Sequence, residues 1–461
     1  MNEADSQDIA ERAVRAGYTI VERPIDASVV VVNTCTVRDN AETRAYGRIG
    51  HLKQLKDRDP SVRLVVTGCL AEQDRDRMQT IVPHVDAVFG TSELSRLAEA
   101  IAQWRGEFID GAAGEDEEDA LLLPLGGTAD GVSDAYSHLR AFVNVQRGCS
   151  YYCTFCIVPH VRGRFDHRPL ADIVADVNRR LDEGAREVTL VGQTVNAYKD
   201  PGSQADFAEL LERVAAIDRL ERLTFVTSHP KDFNERLVRI LASSPKINPR
   251  LHLPVQSGSN PVLRKMNRKY TIDEYLAKVA AFRESCTGWA LTTDLIVAFP
   301  GESDEDFQKT LDVCRRIEFA QAFTFIYSPR RGTPAAHWPQ IAPEIGSKRL
   351  GELAGVIDAS AEAFHCGKLA TVVRALIVGP SRKDRTRLAA RTIDNVTVIA
   401  PDVENEAAAP NADEPWVDIR IERAHRWGCT GTIVGRAARF EGTARRIAAP
   451  AIDLEAFLVP S

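Results

Sequence analysis

The chain has 461 residues, 44% hydrophobic and 27% charged, with a net charge of -7. That length exceeds what one hydrophobic core fills, so several domains are expected, and the composition is globular rather than disordered, fibrous or membrane-spanning. A net negative charge excludes attraction to nucleic acid by the field of the whole molecule, so any RNA contact must come from local basic surfaces.

No stretch approaches the ~18 consecutive apolar residues of a membrane helix. The start, MNEADSQDIAERAV, is acidic and polar where an export signal is basic and then apolar. A cytoplasmic location without membrane attachment is the expectation. In that compartment the nine cysteines are expected as reduced thiols, and metal binding becomes the leading question.

In chain order, ASVVVVNTC from Ala27 reads as a buried strand ending at Cys35, followed by the helical stretch DNAETRAYGRIGHLKQLK. RLVVTGC is a second such strand, ending at Cys69, and DAVFGTSEL a third, leading into LSRLAEAIAQW. Residues 1–110 are therefore an α/β domain with a parallel sheet. Residues 111–137, with GEDEEDA and GGTADGVSDA, read as a linker.

From 138 to 370, strand and helix patterns alternate six times: AFVNVQRG, EVTLVGQ, RLTFVTS, RLHLPVQ, ALTTDLIVAF and AFTFIYS. Six βα units predict a partial parallel barrel whose working residues sit at the carboxyl ends of its strands. Residues 371–446 change to strand-like runs separated by turns, which predicts a small antiparallel barrel interrupted by the acidic insertion PDVENEAAAPNADEP. Residues 447–461 form a short tail.

The strongest local signal is RGCSYYCTFCIVPH, with Cys149, Cys153 and Cys156 spaced CxxxCxxC directly after the first barrel strand. Three thiolates on one tight loop can hold three irons of a 4Fe-4S cluster and leave the fourth open to a ligand. The competing reading is zinc, with His160 completing a Cys3His set, but structural zinc sites usually begin with closely spaced cysteine pairs. Cys35 and Cys69 form a second pair in equivalent positions, VVNTC and VVTGC, at strand ends where ligand crevices form. They read as ligands of a second cluster with no third cysteine nearby. Cys286, Cys314, Cys366 and Cys429 have no partner at ligand spacing and read as structural.

These residues, with NTCTVRDNAE, TGCLAE, TLVGQTVNAY, TSHPKDF, HLPVQSGSNPVL, TTDLIVAFPGE and AFTFIYSPRRGTPAA, resemble the radical S-adenosylmethionine methylthiotransferases. The resemblance covers almost the whole chain and is strongest to the tRNA-modifying branch that acts on N(6)-dimethylallyladenosine. It implies an N-terminal methylthiotransferase domain, a radical SAM partial barrel and a C-terminal RNA-binding barrel called TRAM. By resemblance, Cys149, Cys153 and Cys156 bind the radical 4Fe-4S cluster, and Cys35 and Cys69 are the second and third ligands of an auxiliary 4Fe-4S cluster. The family reads GCQMN where this chain starts MNEADS, so the first auxiliary cysteine and the opening strand are expected to be missing. His167 replaces the usual serine of SRPL, and Ala298 stands where glycine is expected.

The implied reaction is methylthiolation of carbon 2 of N(6)-dimethylallyladenosine beside the anticodon of tRNA, consuming two S-adenosylmethionine and a sulfur donor. Regions around Gln193, Gln256 and Glu302 are expected to contact S-adenosylmethionine; no single catalytic residue is named. Arg382, Lys383, Arg385, Arg420, Arg423 and Arg426 are candidate phosphate contacts in the TRAM-like barrel. The expected partners are the tRNA anticodon stem-loop and an electron donor such as flavodoxin or ferredoxin, with a monomer as the default state. Two alternatives remain: the same chemistry on threonylcarbamoyladenosine or a ribosomal-protein aspartate, and a non-catalytic RNA-binding iron–sulfur protein.

Overall fold

The computed structural model describes residues 2–21, 23–36, 39–111, 120–122, 137–381, 383–400 and 414–437. Four strands come first, β1 (Thr19–Ile20), β2 (Val29–Thr34), β3 (Arg63–Gly68) and β4 (Ala87–Phe89). Strands β2, β3 and β4 are parallel neighbours. The valine run is uninterrupted because both faces of this sheet are covered. Val30, Val32, Leu64 and Val66 pack with Ile49 and Met78 on one side, while Val29, Val31 and Val65 pack with Ile9, Leu97 and Ile101 on the other.

The sequence marks the start of the chain only as polar, yet Asn2–Arg15 is a helix that buries Ile9 and Ala13. The expected linker differs too. The helix beginning at Leu94 runs on to Gly111, and Ala120–Leu122 forms a strand, β5, lying between β1 and β2 and parallel to both. The edge of β2 carries backbone groups next to buried valines, and those groups need a partner. The rest of the expected linker, residues 401–413 of the acidic insertion and the tail lie outside the described residues.

The six barrel strands are found where the pattern puts them. A short antiparallel ladder, β7 (Gln146–Arg147) with β8 (Asp166–His167), brackets the cysteine loop. Around it, β6 (Arg140–Asn144), β9 (Glu187–Val191) and β10 (Arg222–Phe225) form one parallel half-sheet. The other half-sheet comprises β11 (Arg250–His252), β12 (Ala290–Val297) and β13 (Gln321–Ile326). RLHLPVQ pairs only over its first three residues, because Pro254 has no N–H to give; the chain rejoins β12 at the Gln256–Leu295 bridge.

The C-terminal strands β14 (Val372–Pro380), β15 (Leu388–Thr392), β16 (Thr397–Ala400), β17 (Trp416–His425) and β18 (Gly428–Arg436) close into a barrel. It is fixed to the amino ends of the central strands. Trp416 Nε1 donates to Glu221 at 2.6 Å, and Arg222, paired with Glu187, donates to the Thr392 carbonyl at 2.8 Å. The carboxyl ends of the central strands are thereby left to the N-terminal domain and the cysteine loop.

Candidate active site

The cysteine loop is shaped by its backbone before any ligand enters. Gly148 has φ +70°, and a Cβ there would lie 2.0 Å from the Arg164 carbonyl oxygen, so only glycine fits. Cys149 N donates to Gly163 O, and Asn267 Nδ2 donates to the carbonyls of Tyr151 and Tyr152 at 3.2 and 2.9 Å. Thr154 bridges two neighbouring segments through Met266 O and Ala335 N. The thiols are thus presented by a rigid frame.

Arg268, itself buried, is held by Pro254 O at 3.2 Å and points Nη1 at the Cys153 sulfur, 3.5 Å away. Thr194 Oγ1 lies 3.6 Å from the Cys149 sulfur. Burial pushes the Cys149 thiol up and the Cys156 thiol up to about 12, so these groups are protonated until a positive centre takes them.

A zinc site would need several donors converging on one ion, and among the described residues no three His, Cys, Asp or Glu side chains do so. A cubane cluster makes no such demand, because each thiolate binds a different iron. Cys153, Cys156 and His160 instead line, together with His337, an open cleft of about 280 Å³. The donor set fits a site-differentiated cluster.

Several of the buried side-chain atoms without hydrogen-bond partners lie at or just beyond the carboxyl ends of successive strands: Asn144 Oδ1, both polar atoms of Gln146, Gln193 Oε1, Ser228 Oγ and Gln256 Oε1. Clustered on one rim, they offer unused hydrogen-bonding capacity to a polar ligand. His229 joins them. Its Nδ1 accepts from Lys231 N at 3.1 Å, burial lowers its pKa to about 2, and Nε2 is left as a neutral, unpartnered N–H donor. The set fits a ligand rich in amino, carboxylate and nucleoside groups, as S-adenosylmethionine is. Glu302 is used differently: its Oε2 accepts from Ala298 N and from Arg349 Nη1, both at 2.7 Å. Burial outweighs Arg349 and lifts the Glu302 carboxyl to about 7; only its Oε1 has no partner.

Cys35 follows β2 and Cys69 follows β3, beside each other as the repeated pattern requires. Gly68, at φ +97°, allows the Thr34 carbonyl to approach to where a Cβ would stand. Cys69 packs against Ile157 and Val161, which follow Cys156 directly, so the two cysteine sets share one wall. Asn2 Nδ2 donates to Thr34 O at 2.9 Å, which brings the first described residue to the same place.

The basic candidates separate. Lys383 and Arg385 are exposed on the turn after β14, while Arg420, Arg423 and Arg426 are exposed on β17 and at its tip. Val372 pairs with Arg420, and Pro380 is eight residues farther along β14, so the two groups stand roughly 25 Å apart along the strand. Arg426 pairs with Asp358 and stacks over the exposed Trp427. Arg382 lies outside the described residues.

Comparison with known proteins supplies the family. Residues 143–314 match the Radical SAM superfamily, and residues 1–90 match the Uncharacterized protein family UPF0004. The chain is 39% identical over 444 residues to the tRNA-2-methylthio-N(6)-dimethylallyladenosine synthase of Alkalilimnicola ehrlichii, with 94% of this chain and 95% of that protein covered. The chain belongs to that synthase family. Synthases of the same name from Vibrio parahaemolyticus and Desulfitobacterium hafniense are 40% and 38% identical, covering 91% and 94% of this chain and 87% and 94% of theirs. A solved radical S-adenosylmethionine methyltransferase, TsrM from Kitasatospora setae, shares the fold alone: TM-score 0.50 and 15% identity, over 78% of this chain and 82% of that one. Cys35 and Cys69 fall in the region that matches UPF0004, and the CxxxCxxC loop falls in the region that matches the Radical SAM superfamily.

Local sequence does not single out Arg268 or Asn267, and it gives no role to His229 or Thr194 although both lie in quoted motifs, TSHPKDF and TLVGQTVNAY. Arg268 sits in LRKMNRKY, where a charge run reads as a solvated face, and nothing local shows that it returns to Cys153.

Proposed function

We propose that this protein installs a methylthio group on carbon 2 of N(6)-dimethylallyladenosine beside the anticodon of tRNA, in the cytoplasm. The observation that carries the reading is the shared wall between the two cysteine sets, with Cys69 packed on the helix that follows Cys156. Replacement of an aromatic hydrogen by sulfur requires a one-electron centre and a sulfur source at neighbouring positions, and this wall supplies neighbouring positions.

A 4Fe-4S cluster with S-adenosylmethionine supplies, when bound, the one-electron chemistry that side chains lack. Cys149, Cys153 and Cys156 would hold that cluster, and Cys35 and Cys69 an auxiliary one. The chain's own residues do the rest. Arg268 offsets the negative charge that gathers on Cys153 as a thiolate. His229 Nε2–H and the amides of Gln193 and Gln256 orient a polar ligand without changing its charge, because the imidazole stays neutral across the physiological range. The target base must leave its stack to reach the strand ends, as a single-stranded loop allows. A reduced flavodoxin or ferredoxin acting on the monomer completes the system.

The test is expression in cells that lack their own 2-methylthio activity, followed by nucleoside analysis of tRNA. The reading expects 2-methylthio-N(6)-dimethylallyladenosine to appear. Its absence, with the protein folded and loaded with iron, would contradict it. The relatives' shared name favours this substrate over threonylcarbamoyladenosine or a protein aspartate.

A further inference from the structure

Strands β11, β12 and β13 present two contrasting faces. Leu251, Leu253, Leu291 and Leu295 turn outward and are almost wholly buried beneath the helices. By alternation, His252, Thr292, Asp294 and Phe323 turn into the barrel. Apart from the buried Thr292, this inner wall is not fully packed. Phe323 is 41% exposed although it lies mid-strand, and the side chains of His252 and Asp294 retain 18% and 29%. Beyond β13 no further strand pairs among the described residues, so the wall is open along its edge.

The four side chains form one arrangement. Asp294 and Phe323 are direct partners across the β12–β13 ladder. His252 lies between Thr292 Oγ1, 3.0 Å from Nδ1, and Asp294 Oδ2, 3.5 Å from Nε2. Its ring meets Phe323 edge to face at 6.1 Å. Among the described residues the Asp294 carboxylate is engaged by His252 alone, which leaves acceptor capacity facing the opening.

We propose that this wall is the pocket for the target base, with Asp294 accepting the N6–H of the adenine and Phe323 packing against its apolar N6 substituent. The assignment rests on the methylthiolation reading above. A carboxylate repels phosphodiester oxygens, so the wall takes a base rather than the RNA backbone, and an acceptor beside an apolar ring matches an N6–H whose nitrogen carries an apolar substituent. The geometry agrees with the chemistry. Asp294 lies three residues before the end of β12, roughly 10 Å below the rim that carries the cysteine loop. In adenine, C2 and C6 lie on either side of N1, so a base with C2 turned toward the rim directs its N6 group down the wall.

The experiment compares two anticodon stem-loop RNAs, one with N(6)-dimethylallyladenosine and one with plain adenosine, on anaerobically reconstituted protein. RNA affinity is read by fluorescence anisotropy, and methylthio product is read per 5'-deoxyadenosine formed. Phe323→Ala is expected to weaken binding of the dimethylallyl RNA about tenfold and leave plain RNA binding unchanged, while Phe323→Leu restores the preference. Asp294→Ala is expected to weaken both RNAs about tenfold and to lower the product yield per 5'-deoxyadenosine. Iron content and melting temperature serve as fold controls. If the wild type converts the dimethylallyl RNA and Phe323→Ala loses affinity for both RNAs equally, or for neither, the pocket assignment is overturned alone. If the wild type converts neither RNA, the methylthiolation reading falls and the assignment with it.

Discussion

Arg162 Nε lies 3.2 Å from the sulfur of Cys69, and Nη2 of the same guanidinium reaches Asp5 at 2.8 Å and Asn2 at 3.0 Å. One buried side chain from the segment after the CxxxCxxC loop thus joins the central barrel to the second cysteine pair and to the N-terminal helix. Replacing it with methionine leaves Asp5 buried without its closest cation. We expect Arg162→Met to destabilise the packing between these parts by about 3 kcal/mol, measured by chemical denaturation. A change below ~0.5 kcal/mol would show that the pair contributes no more than a surface salt bridge.

The two cysteine sets predict separable losses of iron. Serine at Cys149, Cys153 or Cys156 should remove the iron and the visible absorbance of one cluster, together with all 5'-deoxyadenosine formation. Serine at Cys35 and Cys69 should spare 5'-deoxyadenosine formation and abolish methylthio product. Iron analysis and chromatography of the same samples check both statements.

His229 gives the fold an acid sensitivity. Burial, with Arg268, Lys231 and Lys278 nearby, lowers its pKa from 6.5 to about 2. A depressed folded-state pKa contributes stability above the unfolded value that is lost as pH falls through the window from 6.5 to about 2. At about pH 5.5 the loss is roughly 1.4 kcal/mol, and His229→Gln should flatten that part of the stability profile. Urea denaturation across the acid range is the measurement, and an identical slope in both proteins would refute the assignment.

The two basic groups of the C-terminal barrel stand at opposite ends of β14 and should act independently. Lys383→Glu with Arg385→Glu, and separately Arg423→Glu, should each weaken RNA binding without sequence preference and lower the salt slope by about 1 for every phosphate that is no longer neutralised. Combined, the two effects should add in free energy. Strong non-additivity would mean that one phosphate track spans both.

Much of this architecture is written in local pattern. The valine run of β2, the six alternating units of the central barrel and the CxxxCxxC loop each depend on spacing over a few residues, and each is found in place. What local pattern does not show is partnership at long range. Arg162 meets Cys69 across 93 positions, and Arg268 meets Cys153 across 115. The helix Asn2–Arg15 is hard to read because its apolar face is narrow, and β5 because three residues in a glycine-rich stretch carry no periodicity. Glu302 is another case: its motif suggests a ligand contact, and the structure adds two partners for its Oε2, Ala298 N and Arg349, that no local pattern shows.

The most direct test incubates the reconstituted protein with dimethylallyl anticodon stem-loop RNA, S-adenosylmethionine and a reductant under anaerobic conditions, with mass analysis of the modified base. The account predicts a methylthio group on carbon 2 of the adenine, accompanied by 5'-deoxyadenosine and abolished in Cys153→Ser. RNA that stays unmodified while 5'-deoxyadenosine accumulates in a fully iron-loaded protein would contradict it.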